Sequence, residues 1–207
     1  MNPKITLQFH NVTFGYHKPL LEQFTFSFEK QGIYCLLGKS GCGKTTFLKL
    51  IGGLLLPQSG VIEHTAKKIS FLFQENRLLP WLTVLDNLLL VSKDRAYCIS
   101  LLNELGLWGV EHKMPSTLSG GMQRRVALAK ALAYDGDIFL LDEPFTGIDP
   151  QTKQHILPFV QKKTAQKLCI LVTHHVQEAR CISSSVYTLE KSTLQPAAPS
   201  LFVEGYS

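Results

Sequence analysis

Two kinds of apolar pattern divide the chain. Ile5, Leu7 and Phe9 alternate with polar positions, as do Phe24, Phe26 and Phe28, the period of two expected of strands with one buried face. Each predicts an antiparallel β element. Residues 33–37, 69–73, 138–141 and 168–172 are instead nearly unbroken apolar runs. These predict strands buried on both faces, as in a parallel sheet covered by helices. Between the second and third runs, residues 76–133 carry apolar side chains at helical spacing, including Leu101, Leu102 and Leu105, then Val126, Ala129, Ala131 and Leu132. That stretch is too long for a simple crossover and reads as a helical insertion. After Leu189, Pro196 and Pro199 interrupt a stretch without a period, and no element is predicted there. The expected architecture is α/β: a mostly parallel core sheet, an N-terminal antiparallel β subdomain and an inserted α-helical subdomain. A single domain over residues 1–190 is expected to be followed by a tail at 191–207.

Composition narrows the class. With 207 residues, 45% of them apolar and 18% charged, the chain is globular and long enough to bury a core without disulfide or metal staples. The net charge of +5 comes with no basic run longer than a pair, which argues against a nucleic-acid partner. Five cysteines, Cys35, Cys42, Cys98, Cys169 and Cys181, are odd in number and form no C-x-x-C pair, as expected of free thiols in a reducing compartment. The first residues lack the apolar core of a secretory signal. The richest apolar stretch, 78–91, is broken by Pro80, Asp86 and Asn87 and falls short of the ~20 residues that cross a bilayer. The chain is therefore expected not to span a membrane.

Chemistry enters at Gly38-Lys39-Ser40-Gly41-Cys42-Gly43-Lys44-Thr45, which fits G-x-x-x-x-G-K-[ST] between a buried strand and a helical run. In such a loop glycines let backbone N–H groups face a polyphosphate, the helix N-terminus adds positive potential, Lys44 supplies a cation, and Thr45 offers a hydroxyl to Mg²⁺. The run 138–141 ends in Asp142 and Glu143. Asp142 at a strand tip suits Mg²⁺ beside Thr45, and Glu143 suits a base for an attacking water. Cys42 lies near a helix N-terminus, which favours its thiolate; a reactive thiol and an inert small residue both fit the position.

Leu118-Ser119-Gly120-Gly121-Met122-Gln123, followed by Arg124-Arg125 and an Ala/Leu helix, resembles the signature motif of ATP-binding-cassette (ABC) ATPases. The order of P-loop, Gln74 after a buried strand, this motif, the acidic strand end and Val172-Thr173-His174 matches that family over roughly residues 7–187. The resemblance implies the P-loop NTPase fold of ABC ATPases and hydrolysis of ATP with Mg²⁺. It extends the phosphate cradle through Thr46. By the same resemblance Tyr16 stacks on adenine, and Gln74 contacts Mg²⁺ and the nucleophilic water. His174 would touch the γ-phosphate, and Asp149 would lie at a dimer seam. Ser119, Gly120 and Gly121 would complete the ATP pocket of the opposite subunit in a head-to-tail homodimer. Arg124 and Arg125 are expected on a solvated helix face or in structural ion pairs. His175 stands where the family usually has Asp, Lys39 where it often has Pro, and 146–148 where Ser/Gly-Ala-Leu is usual; none of these removes a catalytic group.

Residues 74–87 resemble the corresponding segment of importer cassettes of the nitrate/sulfonate/taurine type, a group with relatives for thiamine precursors. Leu78, Leu79, Pro80 and Trp81 then either receive a permease helix or pack the helical subdomain. The implied partners are separate transmembrane permease subunits and, indirectly, an extracytoplasmic substrate-binding protein. The implied location is cytoplasmic, peripheral on the inner face of the membrane. An exporter cassette, or a cassette acting in translation or DNA maintenance, is the competing reading.

Overall fold

The computed structural model describes residues 5–190 and 193–198. Strand β1 (Leu7–Gly15) pairs antiparallel with β2 (Pro19–Phe28), Leu7 opposite Phe28 and Phe9 opposite Phe26. The apolar face of β1 changes phase along its length: Leu7 and Phe9 are buried, then Val12 and Phe14. A bulge between Phe9 and Val12, with Asn11 at φ 50°, produces the slip. The backbone N–H of Asn11 donates to Thr25 Oγ1 at 3.0 Å and that of Gln23 to Thr13 Oγ1 at 3.1 Å, so the displaced amides keep partners. After β3 (Gly32–Leu37) and helix α1 (Lys44–Ile51), strand β4 (Ser59–His64) adds to the free edge of β1. Gly60, at φ 80°, lies so close to the bulge that a Cβ would sit 2.4 Å from the carbonyl oxygens of His10 and Asn11.

The remaining elements are β5 (Ile69–Leu72), α2 (Val84–Leu89), α3 (Arg95–Glu104), α4 (Gly120–Tyr134), β6 (Ile138–Asp142), α5 (Pro150–Thr164), β7 (Leu168–Thr173), α6 (Val176–Ile182), β8 (Ser185–Glu190) and β9 (Thr193–Pro196). Six strands form the larger sheet in the order β5-β6-β7-β3-β8-β9, parallel except for β9. The strand β9 corrects the expectation of no element after Leu189. Its signal is one buried residue, Leu194, opposite Leu189, too little to make a period; residues 199–207 of the expected tail lie outside the described residues. Strand β4 escaped prediction for a similar reason, since five of its six residues are exposed.

Alternate residues of the central strands feed two cores. Ile33, Cys35, Phe139, Leu141, Cys169 and Leu171 face the helices; Tyr34, Leu36, Ile138, Leu140, Ile170 and Val172 face α1 and the small sheet. Phe47 of α1 joins that small sheet to the core. Its ring stacks on Phe9 at 5.1 Å and meets Phe24 edge-on at 6.0 Å. Phe47→Ala should cost about 3–5 kcal/mol, the usual range for emptying an aromatic site, measured as a lower midpoint in equilibrium urea unfolding. A loss below ~1 kcal/mol would show that the ring is not a junction between the layers.

Candidate active site

The sheet order sets the geometry of the site. Strands β5, β6, β7 and β3 are neighbours and parallel, so the segments leaving their carboxyl ends meet on one edge, where open α/β sheets place their ligands. Those segments carry Gln74, Asp142-Glu143, His174 and the P-loop, respectively.

The P-loop leaves β3 and enters α1 with Gly43 as its N-cap. Lys44 is buried, and its Nζ donates to the carbonyls of Gly38 at 2.7 Å and Lys39 at 2.9 Å, with Cys42 Sγ at 3.8 Å. The loop is thus held in a ring by its own lysine. A cleft of about 270 Å³ opens beside it, lined by Ser40, Gly41, Gly43, Lys44, Thr45, Thr46, Gln74, Asp142, Glu143 and Val172.

Asp142 is 1% exposed, and neither carboxylate oxygen completes a close hydrogen bond, although the Thr45 hydroxyl is near enough to act on it. Burial pushes its pKa above the ordinary carboxylate range; the Thr45 hydroxyl pulls it back, Glu143 adds to the rise, and Arg124 and Lys44 oppose it. A buried, unpartnered carboxylate is costly. With the Thr45 hydroxyl and Gln74 on the same cleft, it forms the set of hard oxygen donors that fits Mg²⁺.

Glu143 adopts φ 50°, a left-handed conformation that is uncommon for a residue with a Cβ. Its Oε1 lies 2.9 Å from His174 Nδ1, and its Oε2 accepts from Thr146 Oγ1 at 3.3 Å. His174 extends from the end of β7, which is anchored from below: Thr173 Oγ1 donates to Glu178 Oε2 at 2.8 Å, and Lys153 Nζ donates to Glu178 Oε1 at 2.6 Å. The His175 ring packs against that of His174 at 4.0 Å.

A second cleft of about 280 Å³, lined by Ser40, Gln74, Asn76, Gly120, Arg124, Glu143, Thr146 and His174, shares three residues with the first. The two gather most of the residues singled out from the sequence, but not all. Tyr16 is 72% exposed with its ring edge-on to Phe14. Ser119 caps α4, accepting from the Met122 N–H at 3.3 Å. Asp149 caps α5, and the Thr152 backbone N–H on its side chain holds its pKa down. Gly121 abuts the next loop: a Cβ there would stand 2.5 Å from the Gly147 carbonyl oxygen. Gly38, Lys39 and Cys42 form the back of the P-loop ring, and line neither cleft.

Arg124 departs from expectation. It is neither solvated nor ion-paired: it is 4% exposed and donates to the carbonyls of Phe73, Gln74, Asp142 and Glu143 and to Asn76 Oδ1. Burial lowers its pKa, opposed by the charges of Asp142 and Glu143. Arg125 likewise caps a helix end, donating to Leu105 and Gly106 carbonyls at 2.9 and 2.8 Å. An arginine pair after a helix N-cap reads as surface charge in one dimension, because its acceptors are distant in sequence. Asn76, 48 residues from Arg124, joins the site in the same way, and Thr146 joins it through its contact with Glu143.

A parallel sheet with a P-loop at one strand end and an Asp-Glu pair at the next but one defines a P-loop nucleoside triphosphatase. Comparison with known proteins gives the family: the ABC transporter profile matches residues 21–146. The aliphatic sulfonates import ATP-binding protein SsuB 1 of Rhodococcus jostii (strain RHA1) is 40% identical over 178 residues, 82% of this chain and 73% of that protein. The thiamine import ATP-binding protein ThiQ of Vibrio vulnificus (strain YJ016) is 35% identical over 94% of this chain and 91% of its own length. Among solved structures, the dimeric bacterial ABC transporter cassette MJ0796 superposes with a TM-score of 0.81 at 28% identity, covering 91% of this chain and 96% of that one. The same cassette in a post-hydrolysis state bound to ADP and Pi gives 0.80 at 27% identity, over 92% and 98%. The chain belongs to the ABC transporter family, as an ATP-binding, ATP-hydrolysing cassette of importer type.

Two predictions follow from the site's electrostatics and packing. Without metal, in EDTA, Asp142→Asn should raise the melting temperature by several degrees, an unpartnered buried group costing ~1–3 kcal/mol at ~2–4 °C per kcal/mol. Because the Asp142 pKa is raised in the folded state, its contribution favours folding at the lowest pH. That contribution is lost as pH rises from the ordinary carboxylate value through the raised one, so the gap between variant and wild type should widen over that window. Equal melting temperatures at every pH would contradict the orphan charge. At Cys42, whose sulfur abuts Gly38 and Lys44, alkylation by N-ethylmaleimide should abolish ATP hydrolysis, and prebound ATP should protect. Full activity after complete labelling of Cys42 would show that the ring tolerates bulk there.

Proposed function

We propose that this cassette works as a head-to-tail dimer on the cytoplasmic face of the membrane, where closure around MgATP drives a separate permease fed by an extracytoplasmic substrate-binding protein. The observation that carries the reading is the contact at 2.9 Å between His174 and Glu143, beside an unpartnered Asp142 and a P-loop lysine. ATP phosphates replace the Gly38 and Lys39 carbonyls as partners of Lys44, because anionic oxygens are the stronger acceptors. Mg²⁺, held by Thr45, Asp142 and Gln74, would neutralise charge on the transferring phosphoryl group. Glu143 takes the proton of the attacking water as the water oxygen bonds to the γ-phosphorus, while the bond from that phosphorus to the β,γ-bridging oxygen breaks and its electron pair leaves with ADP. His174 orients Glu143 and, with Lys44, faces the developing negative charge. Tyr16, exposed and set edge-on against Phe14, offers its ring to adenine. Ser119, Gly120 and Gly121 at the start of α4 offer free N–H groups to the triphosphate of the opposite subunit, with Asp149 beside the seam.

Support for a membrane partner comes from the loop 79–83. Buried Asn87 ties it down, accepting from Leu79 N–H at 2.8 Å and donating to the carbonyls of Leu79, Leu82 and Thr83, while Trp81 stays 69% exposed. A rigid loop presenting an uncovered tryptophan suits a short permease helix. Among the described residues no helix is long and apolar enough to cross a membrane itself. The sulfonate and thiamine importers among the relatives frame the solute as a small polar nutrient, which the cassette would not touch.

Glu143→Gln should bind ATP yet hydrolyse it at least ~10²-fold more slowly, the low end of what a general base contributes. Purified with ATP from detergent-solubilised membranes, the tagged variant should carry a stoichiometric polytopic membrane protein. Wild-type turnover would remove Glu143 from its role, and capture of ribosomes or nucleic-acid proteins instead would overturn the transport reading.

A further inference from the structure

We propose that Arg124 is a positioning residue for hydrolysis: it binds the loop carrying Gln74 and the peptide bearing Glu143 into one rigid unit, so that Glu143 is correctly placed only while that loop is in place. The inference rests on Glu143 acting as the base. The two edges of the guanidinium plane serve different segments. Nη1 donates to Phe73 O at 2.6 Å, Gln74 O at 3.1 Å and Asn76 Oδ1 at 3.3 Å. On the other side Nη2 donates to Glu143 O at 2.9 Å and to Asp142 O, and Nε to Glu143 O at 3.2 Å.

Each of these acceptors lies outside α4, from 18 to 51 residues away in the chain. An arginine that merely packed its helix would not need this arrangement. Here a planar donor with fixed angles spans two strand ends, and a lysine, with all its donors on one nitrogen, cannot reproduce that span. Glu143 gives the bridge its purpose. Its backbone is held at φ 50°, in the left-handed region that sterics disfavour for a residue with a Cβ. Its carbonyl is clamped by two guanidinium N–H groups, so the direction of its side chain towards His174 follows from where that carbonyl is held. A shift of residues 73–76 must either break these bonds or turn the Glu143 peptide.

The test compares Arg124→Lys and Arg124→Ala with wild type, reading Kd for trinitrophenyl-ATP without Mg²⁺, kcat with it, and the effect of methylguanidinium. In both variants kcat should fall about 10- to 100-fold, ångström-scale misplacement being worth up to ~10², while Kd changes less than about 3-fold. Methylguanidinium should restore part of the kcat of Arg124→Ala, and NaCl at equal ionic strength should not. In a Glu143→Gln background, Arg124→Lys should add no further loss, because the group it positions is gone. Unchanged kcat in Arg124→Lys overturns the proposal, as do parallel losses in Kd and kcat without rescue; should Arg124→Ala not fold, Arg124→Lys and the double variant decide alone. Wild-type turnover in Glu143→Gln itself would instead overturn the role of Glu143, a separate failure.

Discussion

Parallel pairing of β5, β6, β7 and β3 brings the carboxyl ends of four strands to one edge, and everything else in the site depends on that register. A phosphate loop, two acids, a histidine and a glutamine from positions 38 to 174 meet there because each follows a strand of the same direction. No local motif could gather them. Burial on both faces holds the register: a slip of one residue would exchange the two cores, sending Phe139 and Leu141 to the side now filled by Ile138 and Leu140.

Within this frame the charges are arranged unevenly. Lys44 satisfies itself on its own loop, the Asp142 carboxylate completes no close hydrogen bond, and Arg124 is surrounded by carbonyls. The buried arginine stands near Asp142, where its charge opposes the rise that burial gives the Asp142 pKa. Below His174, the chain Lys153–Glu178–Thr173 ties α5, α6 and β7 together, so that the histidine projects from a braced strand end.

The fold class was legible where one pattern governed a whole element. The unbroken runs at 33–37 and 138–141 announced a buried parallel sheet because both faces of those strands are covered. Strand β1 was legible only to Phe9, since the bulge at Asn11 reverses its phase, and β4 and β9 lie at sheet edges where few side chains are buried. In the site, Lys44, Thr45, Asp142 and Glu143 could be read from local spacing, because a phosphate loop and an acidic strand end are contiguous. Arg124 could not: its meaning comes from carbonyls at Phe73, Gln74, Asp142 and Glu143, and a carbonyl is the same at every residue.

The approach of Gly121 to Gly147 bears on how such a chain can change over generations. The two backbones touch with no side chain between them, so even one methyl group at position 121 would force the loop before α5 to retreat. Helix α4 begins one residue earlier, and Asp149 caps the next helix two residues later. Drift at position 121 must therefore be answered by the loop at 147, whereas a side chain at 147 would meet open space and only the strain of its positive φ.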